Sequence, residues 1–109
     1  MLVLIEMPWE ALSPTERRTY LKACIRDALF REETPLSRPA MLSWTEALYD
    51  NDIDQQVESR KVHKKMVEVA GLVAFYEDQG WSKSMVKATE WAHAAGTKVV
   101  RRKIYSGGF

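Results

Sequence analysis

The sequence has one cysteine, Cys24, and two histidines, His63 and His93. A single thiol excludes a disulfide framework, and these three side chains do not have the spacing of a zinc site. We therefore expect neither a metal nor a cofactor. A chain without disulfides suits a reducing compartment, so we expect a cytoplasmic protein.

Long apolar runs and a strong excess of one charge are also absent. No apolar run approaches the roughly 20 residues that cross a bilayer, and the apolar residues 2–5 lack the basic flank and cleavage site of a signal peptide. Sixteen basic and fifteen acidic side chains leave a net charge of +1, which supplies no field to attract nucleic acid. We expect a soluble protein whose partners include neither a membrane nor a nucleic acid.

The composition is that of an ordinary globular protein, with 109 residues that are 46% hydrophobic and 28% charged. We expect one α/β domain over residues 1–105 and a tail at 106–109. The apolar residues 2–5 predict a strand that is covered on both faces. Ser13, Pro14 and Glu16 have the pattern of a capping box and predict the start of a helix. The apolar residues of this helix recur at three- and four-residue spacing and are expected to face the sheet: Tyr20, Leu21, Cys24, Ile25, Ala28 and Leu29.

The rest of the chain repeats the alternation of strand and helix. A short strand near residues 35–37 precedes a helix predicted over 52–70, and residues 72–76 and 98–105 predict two further strands around a helix from Ser82 to Gly96. The predicted buried face of the helix over 52–70 consists of Ile53, Val57, Val62, Met66, Val69 and Ala70. This alternation predicts a small three-layer sandwich with a mostly parallel sheet of four to five strands.

Ligands of open parallel sheets bind beyond the carboxyl ends of the strands, where loops and helix N-termini meet. Residues 78–85 form such a strand-to-helix segment. Gly80 allows close backbone approach, Ser82 and Ser84 offer hydroxyls, the free helix amides favour a phosphate or carboxylate, and Asp78 can accept from a ribose hydroxyl. The same residues also suit an ordinary loop, in which Gly80 makes a turn, Ser82 is only an N-cap and Asp78 ends a strand.

Other polar and aromatic residues leave similar alternatives open. Glu6 ends the first apolar run and is either a carboxylate of the site or an exposed loop residue. Tryptophans in or near loops are either stacking surfaces for a base or packing residues: Trp9, Trp44 and Trp81. His93 lacks an acid–base partner nearby in sequence and His63 lies beside Lys64, so both are expected to be surface or packing residues. The basic cluster at 60–65 is expected to be a solvated face.

Five segments carry a resemblance to a known family by their order and spacing. They are Leu2-Val-Leu-Ile-Glu-Met-Pro-Trp9, Arg26-Asp-Ala-Leu29, Asp50-Asn-Asp52, Asp78-Gln-Gly-Trp-Ser-Lys-Ser-Met85 and Ala94-Ala-Gly-Thr-Lys-Val99. Together they resemble small phage and bacterial proteins that are similar to nucleoside 2-deoxyribosyltransferases. The resemblance covers nearly the whole chain and implies a Rossmann-like or flavodoxin-like fold with a nucleotide or nucleoside as ligand.

The sequence departs from that family at positions that matter for catalysis. The first loop lacks the family's glycine, a histidine after the second strand is replaced around Pro39, and Ser84 stands where the family has a glycine. The family's nucleophilic glutamate lies four residues beyond that glycine, at the position that Ala88 holds here. Glu90 comes two residues later and is expected to point away from the apolar face of its helix.

These observations predict a nucleotide- or nucleoside-binding domain rather than a fully competent transferase. The expected ligand-binding residues are Pro8, Trp9, Asp78, Gly80, Trp81, Ser82, Ser84 and Met85. Any catalysis is expected to be N-glycosidic cleavage or base exchange, with Glu6 or Glu90 as the carboxylate. The alternative is a phage accessory protein that binds and inhibits a host protein in the host cytoplasm. Four tryptophans in a small chain favour a homodimer.

Overall fold

The computed structural model describes residues 1–43 and 53–105, in which strands and helices alternate. The elements are β1 (Leu2–Glu6), α1 (Pro14–Phe30), β2 (Thr34–Leu36), α2 (Ile53–Val69), β3 (Leu72–Tyr76), α3 (Lys83–Ala95) and β4 (Val99–Arg102). A 3-10 turn at Trp9–Ala11 follows β1, and a π-helical turn at Pro39–Ser43 follows β2. Trp44, the acidic turn at 50–52 and the predicted tail at 106–109 lie outside the described residues. Within the described part of the chain, no helix is long and apolar enough to cross a membrane.

The four strands form one parallel sheet in the order β2-β1-β3-β4. α1 packs on one face, and α2 and α3 pack on the other, which gives three layers. The register places Glu6 beside Phe75 and Phe75 beside Arg101, so the carboxyl ends of three neighbouring strands lie along one edge. The predicted fold class, a small α/β sandwich of Rossmann-like type, is confirmed.

The start of α1 follows from the capping box in the sequence. The Ser13 hydroxyl accepts from the Glu16 amide at 3.3 Å, and the Glu16 carboxylate accepts from the Ser13 amide at 3.1 Å. The helix buries most of its predicted face, namely Tyr20, Leu21, Cys24 and Ala28, whereas Leu29 in the last turn is exposed.

β4 is shorter than predicted, because backbone amides beyond Arg102 donate to the side chain of Asp78. The amides of Ile104 and Tyr105 donate to the carboxylate of Asp78, at 3.0 and 2.8 Å, and not to a neighbouring strand. The predicted strand over residues 98–105 was therefore too long at its end.

The predicted buried face of α2 was wrong in the first half of the helix. Ile53 and Val57 are exposed, and Ser59 and His63 are buried instead. This half of α2 faces a polar cavity, so its inward positions carry polar side chains that a hydrophobic pattern does not reveal. The second half packs on the sheet and buries Met66 and Ala70 as expected, but the prediction was wrong for Val69, which is exposed, and Val67 is buried instead.

Candidate functional site

A cavity of about 390 Å³ opens at the carboxyl edge of the sheet. Its wall combines the loop after β1, the first turns of α1, the segment after β2, the first half of α2 and the start of α3. The lining residues are Trp9, Glu10, Arg17, Arg38, Gln56, Ser59, Arg60, His63 and Ser84. Its volume lies within the roughly 300–1,000 Å³ of small-molecule sites, and its place is where parallel α/β sheets bind their ligands.

Glu6 points to this side of the sheet because side chains alternate along β1. Val3 and Ile5 pack in the cluster with α1, whereas Leu4 packs in the cluster with α2 and α3. Glu6 shares the face of Leu4 and meets His63 of α2. It is 5% exposed, which excludes the alternative of an exposed loop residue.

Glu6 and His63 form a buried pair at the cavity wall. The Glu6 carboxylate is hydrogen-bonded to Nε2 of His63, which is 4% exposed. The His63 ring meets Trp91 edge-on, with the ring centroids 5.2 Å apart. A carboxylate at one ring nitrogen fixes the orientation of the imidazole, and a carboxylate–imidazole pair is an arrangement that acid–base catalysis uses.

α2 presents one polar face to the cavity. Gln56, Ser59, Arg60 and His63 recur at the three- and four-residue spacing that places side chains on one side of a helix. The Ser59 hydroxyl accepts from Nη1 of Arg38 at 3.1 Å, which joins this face to the segment after β2. The other members of the basic cluster, Lys61, Lys64 and Lys65, are exposed as expected.

Arg17 is held over the loop after β1. Its Nε donates to the carbonyl oxygen of Trp9 at 2.7 Å, and its guanidinium lies 5.1 Å from the centroid of the Trp9 ring. Trp9 is itself 5% exposed. It therefore acts both as a packing residue and as part of the cavity wall.

The start of α3 is hydrogen-bonded to a carboxylate of the same chain, that of Glu10. Glu10 accepts from the Ser84 hydroxyl at 2.9 Å and from the Ser84 amide at 3.3 Å. Partial burial raises the pKa of Glu10, but hydrogen bonds from its own amide, the Ser82 and Ser84 hydroxyls and the Ser84 amide outweigh it and leave the pKa below its ordinary value. Glu10 thus occupies donors that the sequence assigns to a ligand's anion.

Asp78 does not line the cavity, and its carboxylate ties several elements together. It accepts from the Tyr20 hydroxyl at 2.6 Å and from the amides of Ile104 and Tyr105. Burial raises the pKa of Asp78, but these hydrogen bonds outweigh it and leave the pKa below its ordinary value. Its predicted contact with a ribose hydroxyl stays a prediction.

Gly80 and Trp81 also lie outside the cavity wall. Gly80 has a φ of +91°, and its amide donates to the Glu77 carbonyl oxygen at 3.1 Å, as in a turn. Trp81 stacks on Phe75 at 4.9 Å between ring centroids and donates to the Glu77 carboxylate at 2.9 Å. Both residues have local structural partners, and their contact with a ligand stays a prediction.

The remaining predicted residues divide between core and surface. Pro8 and Met85 are fully buried, and the Ser82 hydroxyl accepts from the Met85 amide at 3.4 Å as the N-cap of α3. Glu90 lies on the outer face of α3 and pairs with Lys87 at 3.3 Å. Of the ten predicted site residues, the described cavity wall therefore includes Trp9 and Ser84, with Glu6 joined to it through His63.

Sequence reasoning missed most of the cavity wall. His63 was expected to be a surface or packing residue, and Arg60 a solvated one, whereas His93 is exposed as expected. Arg17, Arg38, Gln56 and Ser59 were not singled out. The signal that was available is the polar face of α2, whose members recur at helical spacing.

The fold and the cavity define the class of protein, which is a Rossmann-like domain with a polar cavity at the carboxyl edge of a parallel sheet. Within this class, the chain belongs to the family described as Domain of unknown function (DUF7768), whose model matches residues 1–102. A search of curated protein sequences finds no match. Among solved structures, the fold is similar to that of the CMP N-glycosidase BcmB of Clostridium botulinum, with a TM-score of 0.57 and 13% sequence identity. The match covers 100% of this chain and 74% of the neighbour's chain.

Proposed function

We propose that the chain is a nucleotide- or nucleoside-binding domain that hydrolyses the N-glycosidic bond of its ligand in the cavity beside His63. The observation that carries the proposal is the buried Glu6–His63 pair, whose imidazole reaches a polar cavity at the carboxyl edge of the sheet. The likeness of the fold to that of a CMP N-glycosidase supports the choice of ligand.

His63 supplies the proton that this reaction needs. As the bond between C1′ and the base nitrogen breaks, the protonated imidazole donates a proton to the leaving base, and a water oxygen bonds to C1′. The proton released by the water returns to the imidazole, so the products are the free base and the sugar or sugar phosphate. Glu6 is a positioning residue that orients the ring through its hydrogen bond to Nε2.

Hydrolysis by water fits the chain better than transfer through a covalent sugar intermediate. The position of the nucleophile in the resembled transferases is held here by Ala88, a residue of α3 that is fully buried against the sheet. Glu90 lies on the outer face of α3, with its side chain 62% exposed, and pairs with Lys87. Neither residue offers the carboxylate that such an intermediate requires, so we do not expect base exchange.

The test is release of free base. Purified protein is incubated with CMP, dCMP, the other 5′-monophosphates and the corresponding nucleosides, and the products are separated by chromatography. We expect release from at least one substrate, and a rate about 10²- to 10⁴-fold lower for His63→Gln. His93→Gln is the matched control, because His93 is exposed on α3. Absence of free base with every substrate, or equal rates for the two variants, would contradict the proposal.

The alternative of a phage protein that binds and inhibits a host protein stays a prediction, as does the homodimer. Affinity capture from bacterial lysate addresses the first, and light scattering addresses the second. A host partner recovered together with a complete lack of base release would favour the alternative.

A further inference from the structure

The described residues of the cavity wall carry more positive than negative charge. Three arginines reach it from different parts of the fold: Arg17 from α1, Arg38 from the segment after β2 and Arg60 from α2. Among the described lining residues, Glu10 is the one carboxylate. Several guanidinium groups around a small cavity suit an oxyanion that accepts from more than one of them, and a phosphate above all.

These three arginines form no salt bridge within residues 1–43 and 53–105. Three arginines elsewhere in the fold differ, because Arg31, Arg101 and Arg102 pair with carboxylates at 2.9, 2.8 and 2.6 Å. Within the described residues, the arginines that pair with carboxylates therefore lie outside the cavity, whereas the three at the cavity wall have no carboxylate partner.

Two of the cavity arginines are oriented by neutral acceptors. Arg17 is held by the carbonyl oxygen of Trp9, and Nη1 of Arg38 is held by the Ser59 hydroxyl. Nε of Arg38 is buried and has no hydrogen-bond partner within the described part of the chain. A buried donor without a partner is unfavourable, and an oxyanion bound at this guanidinium would satisfy it after a small side-chain shift.

The start of α3 is the other place where an anion is expected to bind. Its Ser84 amide and hydroxyl are already bonded to the carboxylate of Glu10. A phosphate at the same donors meets the negative charge of Glu10 and has to displace it. Among the described lining residues, none on the arginine side of the cavity is a carboxylate that would compete in this way.

We propose that Arg17, Arg38 and Arg60 form the subsite for the 5′-phosphate of a nucleoside monophosphate, while Glu10 closes the start of α3 to that phosphate. The nucleoside part of this ligand rests on the proposed function, but the anion subsite does not. The substrate class is narrowed to 5′-monophosphates, and nucleosides without a phosphate bind more weakly.

Isothermal titration calorimetry with CMP, cytidine and ribose 5-phosphate tests the subsite. We expect CMP and ribose 5-phosphate to bind, and cytidine to bind at least about tenfold more weakly than CMP. Arg38→Gln and Arg60→Gln are each expected to weaken binding of both phosphates by about tenfold or more and to leave cytidine unchanged. Arg26→Gln, at an exposed arginine of α1 away from the cavity wall, is the matched control.

Equal affinities for CMP and cytidine, unchanged affinities in both arginine variants, or no binding of ribose 5-phosphate would overturn the subsite. Ribose 5-phosphate binding that requires Arg38 and Arg60, without base release from any nucleotide, supports the subsite and rejects the N-glycosidase function. Base release from cytidine as fast as from CMP supports the N-glycosidase function and rejects the subsite. Thermal melting shows whether each variant is folded. Because Arg60 is exposed, its substitution is expected to leave the fold intact.

Discussion

The carboxylate of Glu10 accepts hydrogen bonds from the hydroxyl and the amide of Ser84, at 2.9 and 3.3 Å, and so joins the loop after β1 to the start of α3. The two residues are separated by 74 positions in the sequence. The contact places an internal anion at a helix N-terminus, where the sequence predicts the anion of a ligand. The same donors cannot serve both partners at once.

Glu10→Gln and Ser84→Ala are each expected to lower the free energy of unfolding by about 0.5–1 kcal/mol, because the contact is partly exposed. The double variant should lose less than the sum, since both changes remove the same hydrogen bonds. Burial raises the pKa of Glu10, but its hydrogen bonds outweigh burial and leave the pKa below the ordinary value. The ionised carboxylate therefore contributes its full stabilisation above the ordinary pKa. This stabilisation is lost as the pH falls through the lower pKa of the folded protein. Urea unfolding at pH 7 and pH 3 measures both effects, and strictly additive losses would show that the two side chains act independently.

Asp78 should make stability depend on pH in the same direction. Burial raises its pKa, but the Tyr20 hydroxyl and the amides of Ile104 and Tyr105 outweigh it and leave the pKa below the ordinary value. The stabilisation is therefore complete above about pH 4 and is lost at lower pH as the carboxylate takes up its proton. Asp78→Asn is expected to lose about 2 kcal/mol at pH 7 and to differ much less from wild type at pH 2. Glu68→Gln, an exposed carboxylate on α2, is the control, and an Asp78→Asn deficit that is equal at both pH values would contradict the assignment.

Most of the fold was predictable because local signals mark its elements. The capping box at Ser13, the apolar run of β3 and Gly96 at the end of α3 each act over a few residues, and the structure places element boundaries at all three. The end of β4 was not predictable in this way. It depends on Asp78, which takes the amides of Ile104 and Tyr105 from a loop far away in the sequence.

The site was harder to predict because separate segments build its wall. The contact between Glu6 and His63 joins residues 57 positions apart, and no local pattern reports such a pair. Hydrophobic periodicity also treats a polar residue on a helix as facing solvent, which is why His63 and Ser59 were passed over. The position of Glu6 at a strand end made it a candidate for the site by a rule that depends on topology and not on local pattern, and its role in a site stays a prediction.

Removal of Glu6 should cost more stability than removal of an exposed carboxylate. Glu6→Ala leaves the buried imidazole of His63 without its partner, and we expect a loss of about 3 kcal/mol in the free energy of unfolding. Glu90→Ala, which removes an exposed ion pair with Lys87, should cost less than about 1 kcal/mol. Urea denaturation at pH 7 compares the two variants, and equal losses would mean that the buried pair contributes nothing beyond a surface pair.

Gly80 offers a test of whether its segment is only a turn or also approaches a ligand. Its φ of +91° disfavours any residue with a Cβ, while a Cβ built there meets no atom within 4 Å. Gly80→Ala is therefore expected to cost about 1 kcal/mol through backbone strain alone. Gly71→Ala is the contrasting control, because its Cβ comes within 2.9 Å of Cγ of Met1, a flexible side chain that can move away.

The two interpretations of Gly80 differ in their effect on ligand affinity. If Gly80 only forms the turn that its hydrogen bond to Glu77 closes, Gly80→Ala lowers the melting temperature but leaves the affinity for CMP unchanged. If a ligand lies against this backbone, the added methyl group weakens CMP binding while the fold is retained. Calorimetric titration of Gly80→Ala with CMP, at a temperature well below its melting point, decides between them. The cavity wall includes Ser84 and His63 and not Gly80, so we expect the affinity for CMP to be unchanged. A tenfold loss of affinity would instead support contact between residues 78–81 and the ligand.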